Sequence, residues 1–244
     1  MTTHPARALA TAVSVGVAAT VLVSAPVAAV PAGAAPATPA ALAGDTFRLG
    51  GVPVRAGAAT RQVITVNASG GHSAVVALWT KRDGRWQRTA RSRSGRIGYG
   101  GLVPGRERRQ GTGTTPLGSY AITETFGIAR RPAATRLPFH RVRRGDYWVQ
   151  DNRSRYYNER RHVSLGGFRP HTSEHLIDYG GQYRWSLVID FNRPDPVRRR
   201  GSGIFLHVNG PGATAGCVSA SRGFIRLMMT RLRPGWDPVI AIGR

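Results

Sequence analysis

Residues 203–221, GIFLHVNGPGATAGCVSAS, constrain this chain more than any other stretch. They hold Cys217, the only cysteine among 244 residues. An apolar run, Ile204-Phe205-Leu206, leads into His207, and a turn-forming quartet, Asn209-Gly210-Pro211-Gly212, follows. Side chains alternate along a strand, so Ile204, Leu206 and Val208 share one face and Phe205, His207 and Asn209 the other. The glycines and Pro211 let the chain reverse and return Cys217 toward His207. A thiol attacks a carbonyl carbon as thiolate and needs a base or a positive neighbour; His207 fits the base. Gly216 leaves room for a substrate carbonyl beside the backbone N–H groups of residues 216 and 217, an oxyanion site. A helix starting near Ser219 or Ser221, each a good N-cap, sets its N-terminus close after Cys217 and favours the thiolate.

A lone cysteine is also a common small core residue. The N-terminus weighs against that reading. His4 and Arg7 precede residues 8–30, which are almost wholly small and apolar, with small-residue cleavage options after Ala29 and Ala34. This is the pattern of a secretory signal peptide over residues 1–34. An uncleaved membrane anchor is the alternative, opposed by Pro26 and the many alanines. A Pro/Ala-rich linker over 35–45 then precedes one domain over 46–244. Outside the cell a single thiol has no partner for an internal disulfide, so it is a pairing site or a reactive group.

Compartment also decides the meaning of charge. The formal net charge is +23, from 35 basic and 12 acidic residues, and Lys81 is the only lysine. An exported chain this basic points to anionic wall polymers, not nucleic acid, with a membrane as partner only if the N-terminal segment stays uncleaved. Arg91, Arg93, Arg96, Arg106, Arg108 and Arg109 read as a solvated basic surface.

Strand signals fill most of the rest. Residues 62–67 and 73–80 read as strands, the second apolar on both faces and therefore central. Asp83-Gly84 signals a type I′ hairpin into residues 85–89. Residues 119–126 and 183–191 read as further strands, the latter with Trp185, Leu187, Ile189 and Phe191 inward. Residues 222–232 have the spacing of a core-packing helix, ended by Pro234-Gly235, and 238–242 form a closing strand. His171-Thr-Ser-Glu174-His175 matches the spelling of an inverted zinc peptidase motif, but Pro170 and Gly180-Gly181 leave too little helix to align both histidines. No metal or cofactor is expected. Tyr147, Trp148, Tyr156, Tyr157 and Asn158, with Asn209, are candidates to line a glycopeptide groove, though core and turn roles suit the first five equally.

The stretch GIFLHVNGPGATAGCVS resembles the active-site motif of the L,D-transpeptidase (YkuD-type) family, in the shorter-loop version common in actinobacteria. The run Gly111-Thr-Gly113-Thr-Thr115-Pro116-Leu-Gly118-Ser-Tyr120 resembles that family's hairpin, and Tyr147-Trp148-Val149, Tyr156-Tyr157-Asn158 and Ser173-Glu174-His175-Leu176 extend the likeness. The resemblance implies a mainly β protein, a YkuD-type β-sandwich with a short helix after the nucleophile. It implies a secreted cell-wall enzyme that cross-links peptidoglycan stem peptides through a thioester on Cys217. His207 would be the base, oriented by a backbone carbonyl near Val208. A carboxypeptidase using water as acceptor, or a non-catalytic basic wall-binding protein, are the alternatives. One position departs: Ala215 stands where the family motif has a second histidine.

Overall fold

The computed structural model describes Met1 and residues 44–244. The expected signal peptide beyond Met1, and all but the end of the expected linker, lie outside the described residues. The first strand among the described residues, Asp45–Leu49, starts at the last residue of the expected linker and pairs with Val52–Ala56.

The protein is mainly β with a single α-helix among the described residues. Eleven strands form one sheet, in the order Leu102–Pro104, Thr115–Ala121, Val239–Gly243, Gln62–Gly70, Ser73–Arg82, Arg85–Arg96, Val218–Ala220, Phe205–Val208, Ser186–Val188, Thr125–Gly127 and Phe139–Arg141. A sheet of this length curls or divides to cover its apolar face. Here Ile64, Val66, Ile240 and Ile242 from one half pack in the same core as Leu187, Ile189, Leu206 and Val218 from the other. The helix Arg222–Arg231 completes that core with Phe224, Ile225, Met228 and Met229. Truncating one of the leucines, isoleucines or methionines among these to alanine costs about 2–5 kcal/mol. Among the described residues no helix is long and apolar enough to cross a membrane.

Local signals translate directly. Asp83 and Gly84 both have positive φ, 48° and 73°, as a type I′ turn requires, and the strands they join pair from Arg82 opposite Arg85. Ser221 caps the helix, accepting from the Phe224 N–H at 3.3 Å. Trp185, Leu187, Ile189 and Phe191 are all buried as expected, but Ser186 and Val188 between them are buried too, because that strand is covered on both faces.

One expectation changes. The turn over residues 209–212 does not make a simple reversal. Phe205–Val208 and Val218–Ala220 run parallel, so the chain doubles back twice before Cys217. Thr214 holds the middle of that connection: its N–H donates to the Ile97 carbonyl at 3.0 Å, and its carbonyl accepts from the Tyr99 N–H at 2.9 Å.

Candidate active site

In the parallel pair, Leu206 lies opposite Val218 and His207 opposite Ser219. One step further sets Cys217 beside Phe205, and strand alternation puts Cys217, Phe205 and His207 on one face. Cys217 and His207 both line a cavity of about 370 Å3, with Arg108, Gln150, Glu174 and Tyr183.

His207 is buried, but against aromatic rather than aliphatic neighbours. The Tyr183 ring meets it edge-on, centroids 5.4 Å apart. Ser186 and Ser219, both buried, stand opposite it on the two flanking strands. Its Nδ1 lies 2.8 Å from the Val208 carbonyl oxygen. A carbonyl only accepts, so Nδ1 carries the proton and Nε2 the lone pair. Burial pushes the imidazole down to about 4, and the Val208 bond offsets only part of this.

Cys217 is half-buried. Its thiol donates to the Gly203 carbonyl oxygen at 3.3 Å, and the Phe205 N–H donates to Sγ at 3.4 Å. Burial, followed by the nearby Glu174 carboxylate, pushes the thiol up to about 12; the Phe205 N–H, Arg108 and Tyr183 pull the other way. The free protein therefore holds a neutral thiol and a neutral imidazole in one cavity. The helix does not supply the expected support. The strand Val218–Ala220 separates Cys217 from the cap at Ser221, and at about 3.3 Å per residue that carries the helix N-terminus out of range.

Glu174 faces the same cavity. Gln150 Nε2 donates to its Oε2 at 2.7 Å, and the Tyr183 hydroxyl donates to its Oε1. Burial pushes this carboxyl up to about 7 against the pull of both bonds, so it titrates near neutrality. Arg108 lines the cavity as well. Its Nε donates to the Thr114 carbonyl at 2.7 Å and its Nη1 to the Arg200 carbonyl at 3.1 Å.

The profile of the YkuD family, the L,D-transpeptidase catalytic domain, matches residues 61–240, most of the chain. The chain belongs to this family. A similar solved structure is the helical cell shape determining protein Pgp2 from Campylobacter jejuni, as a K307A mutant. It shares 11% identity at a TM-score of 0.39, over 75% of this chain and 47% of that chain. The YkuD chain thus spans less than half the length of that protein. No curated protein matches it.

The YkuD motifs meet at this cavity through backbone as much as side chain. Thr115 Oγ1 donates to the Gly216 carbonyl at 2.8 Å and accepts from the Gly98 N–H at 2.8 Å, so the Gly-x-Gly-x-Thr-Pro turn holds the segment before Cys217. Gly113, at φ 65°, must lack a side chain because the Tyr99 ring lies where its Cβ would stand. Gly216 differs from its sequence reading. The space beside it is filled: a Cβ there would stand 2.7 Å from Arg108 Nη2 and 2.9 Å from the Thr114 carbonyl oxygen, at φ 130°. Its N–H is also engaged, donating to Thr214 Oγ1 at 3.2 Å. Ala215 is exposed at the cavity wall.

The aromatic and amide candidates do not line the cavity. Trp148, Tyr157 and Asn158 are fully buried and build its frame. Asn158, at φ 67°, accepts from Trp148 Nε1 and from the Gly203 N–H, each at 2.9 Å, and donates to the Phe191 and Asn192 carbonyls. The Tyr157 hydroxyl donates to Gln110 Oε1 at 2.7 Å. Tyr147 stacks on His175, centroids 4.5 Å apart, and opens onto a separate cleft with Pro170 and His171. Tyr156 lies under the Arg161 guanidinium. Asn209 donates to the Ser94 carbonyl at 2.7 Å and lines a neighbouring concavity with Gln182 and Arg222.

The sequence assigns no site role to Arg108, Gln150 or Tyr183, and Glu174 enters it only within a rejected zinc motif and as part of the family-like run Ser173-Glu174-His175-Leu176. Arg108 was one of six arginines grouped as solvated surface, yet it is 5% exposed. Nothing in the spacing of that run marks it out.

Proposed function

We propose that the chain is a secreted cysteine acyltransferase of the cell wall, forming L,D cross-links between peptidoglycan stem peptides. Cys217 is the nucleophile and His207 its base and acid. The observation that carries this reading is the bond from His207 Nδ1 to the Val208 carbonyl, which leaves Nε2 as a free base in the cavity that Cys217 shares. In the free protein both groups are neutral, so the proton leaves sulfur as attack proceeds, not beforehand.

The thiol gives its proton to Nε2 as Sγ bonds to the scissile carbonyl carbon. The tetrahedral intermediate collapses, the C–N bond breaks, and the leaving amine takes that proton from His207. A thioester remains. The acceptor amine then gives its proton to Nε2, attacks the thioester carbonyl, and expels the sulfur, which is reprotonated. The cross-link forms with no net redox change. Water in place of the amine gives a carboxypeptidase. The excess of arginine suits a wall rich in anionic polymer.

A second reading, a non-catalytic wall-binding protein, draws on Ala215 and on a thiol held protonated. Intact-mass spectrometry after incubation with a disaccharide-tetrapeptide donor separates the two. The expected result is a thioester adduct on the wild type that Cys217→Ala lacks; unmodified wild-type protein favours the second reading. Muropeptide analysis, scoring dimers against trimmed monomers, assigns the acceptor.

A further inference from the structure

We propose that Arg108 determines substrate specificity by binding the free α-carboxylate of the donor's terminal residue. This rests on the acyltransferase reading above and adds to it a requirement for an unblocked C-terminus.

Arg108 is buried, and among the described residues no carboxylate forms an ion pair with it. A buried charge without a counter-ion is costly, and such a group in an open cavity is suited to an anion that arrives from outside. The Cys217 sulfur does not fill that place in the free protein, since its proton is retained and donated to Gly203. Nor does Glu174, whose two oxygens are taken up by Gln150 and Tyr183.

The guanidinium is also aimed. Its Nε and Nη1 are fixed by the carbonyls of Thr114 and Arg200, and its Cζ lies 5.5 Å from the Phe191 ring centroid. Those contacts leave Nη2 without a protein acceptor on the side of Gly216. Two glycines make room for the guanidinium itself, because a Cβ on Gly201 would strike Nη1 and one on Gly216 would strike Nη2. A rigid planar fork matches a carboxylate better than it matches a neutral amide.

Reach fits the same conclusion. Gly216 adjoins Cys217, and consecutive Cα atoms stand about 3.8 Å apart. A terminal residue places its carboxylate one residue beyond the carbonyl that Sγ attacks. Glu174 lines the same cavity near Gly203, and its carboxylate, when ionised, repels a second anion there. Among the described residues lining the cavity, Arg108 is the one arginine, and no carboxylate pairs with it.

Calorimetric titration tests this in the Cys217→Ala protein, which binds without reacting. The probes are a disaccharide-tetrapeptide and its C-terminal amide. The acid is expected to bind at least about tenfold more tightly than the amide. Adding Arg108→Gln should abolish that preference, and Arg108→Lys should retain part of it. Equal binding of the two probes, no binding of either, or a preference that survives Arg108→Gln would each overturn the proposal. The acid–amide comparison with Arg108 intact decides even if the glutamine variant does not fold. A tenfold preference in protein whose wild-type form makes no thioester would support carboxylate recognition while sinking the enzyme reading.

Discussion

The Cys217 thiol lies 3.3 Å from the carbonyl oxygen of Gly203 and donates its proton to it. The sulfur is thereby tied to the strand-entry segment rather than to the imidazole it would serve. Gly203 is itself held by Asn158, whose Oδ1 accepts the Gly203 N–H at 2.9 Å. The resting state of the thiol depends on a residue 59 positions upstream (217 − 158).

That resting state sets chemical reactivity. With the thiol pushed up to about 12, iodoacetamide should alkylate the folded protein at pH 8 at least about a hundredfold more slowly than the unfolded chain. Glu174→Gln removes the carboxylate that helps raise the thiol and should speed alkylation roughly tenfold. Equal rates for wild type and variant would show that Glu174 does not act on the sulfur.

Glu174 also makes stability pH-dependent. Its folded form holds a proton up to about pH 7, above the ordinary carboxyl value of 4.5. Stabilisation is therefore full below 4.5 and is lost as pH rises through 7. Urea unfolding of the wild type should weaken by about 1–3 kcal/mol between pH 5 and 7.5, and Glu174→Gln should flatten that slope. His207 acts at lower pH with the opposite slope: its pKa falls from 6.5 to about 4, so stability is lost as pH drops across that window.

Thr115 tests the brace under the site. Thr115→Val keeps the shape but leaves the buried Gly98 N–H and the Gly216 carbonyl without this partner. A loss of about 1–3 kcal/mol is expected by chemical denaturation. An unchanged midpoint would show that the contacts carry no net energy.

Asn158 joins four backbone or side-chain groups while in a left-handed conformation, φ 67°. Asn158→Ala should destabilise by about 2–4 kcal/mol, since it strands buried donors and acceptors and keeps the strained φ. Loosening Gly203 should also make Cys217 easier to alkylate under native conditions.

The elements legible in the sequence are those set by neighbours along the chain. Alternation separates Ile204, Leu206 and Val208 from Phe205, and the structure places them in different clusters. Asp83-Gly84 and Ser221 act through backbone geometry that each residue imposes locally. The aromatic groove was less legible. Trp148 and Tyr157 carry the chemistry of a sugar platform and of a core equally, and only packing distinguishes the two.

Sequence alone therefore determined the mainly β character, the hairpin, the capped helix and the pairing of one histidine with one cysteine as candidates, because short-range sterics and side-chain chemistry suffice for those. The tertiary structure decided that the two strands run parallel, that Arg108 leaves the basic surface for the cavity, and that Glu174 turns toward the sulfur. It also decided protonation, keeping the thiol and the imidazole neutral. Desolvation and charge proximity depend on residues such as 108, 174 and 217, which meet only when the chain has folded.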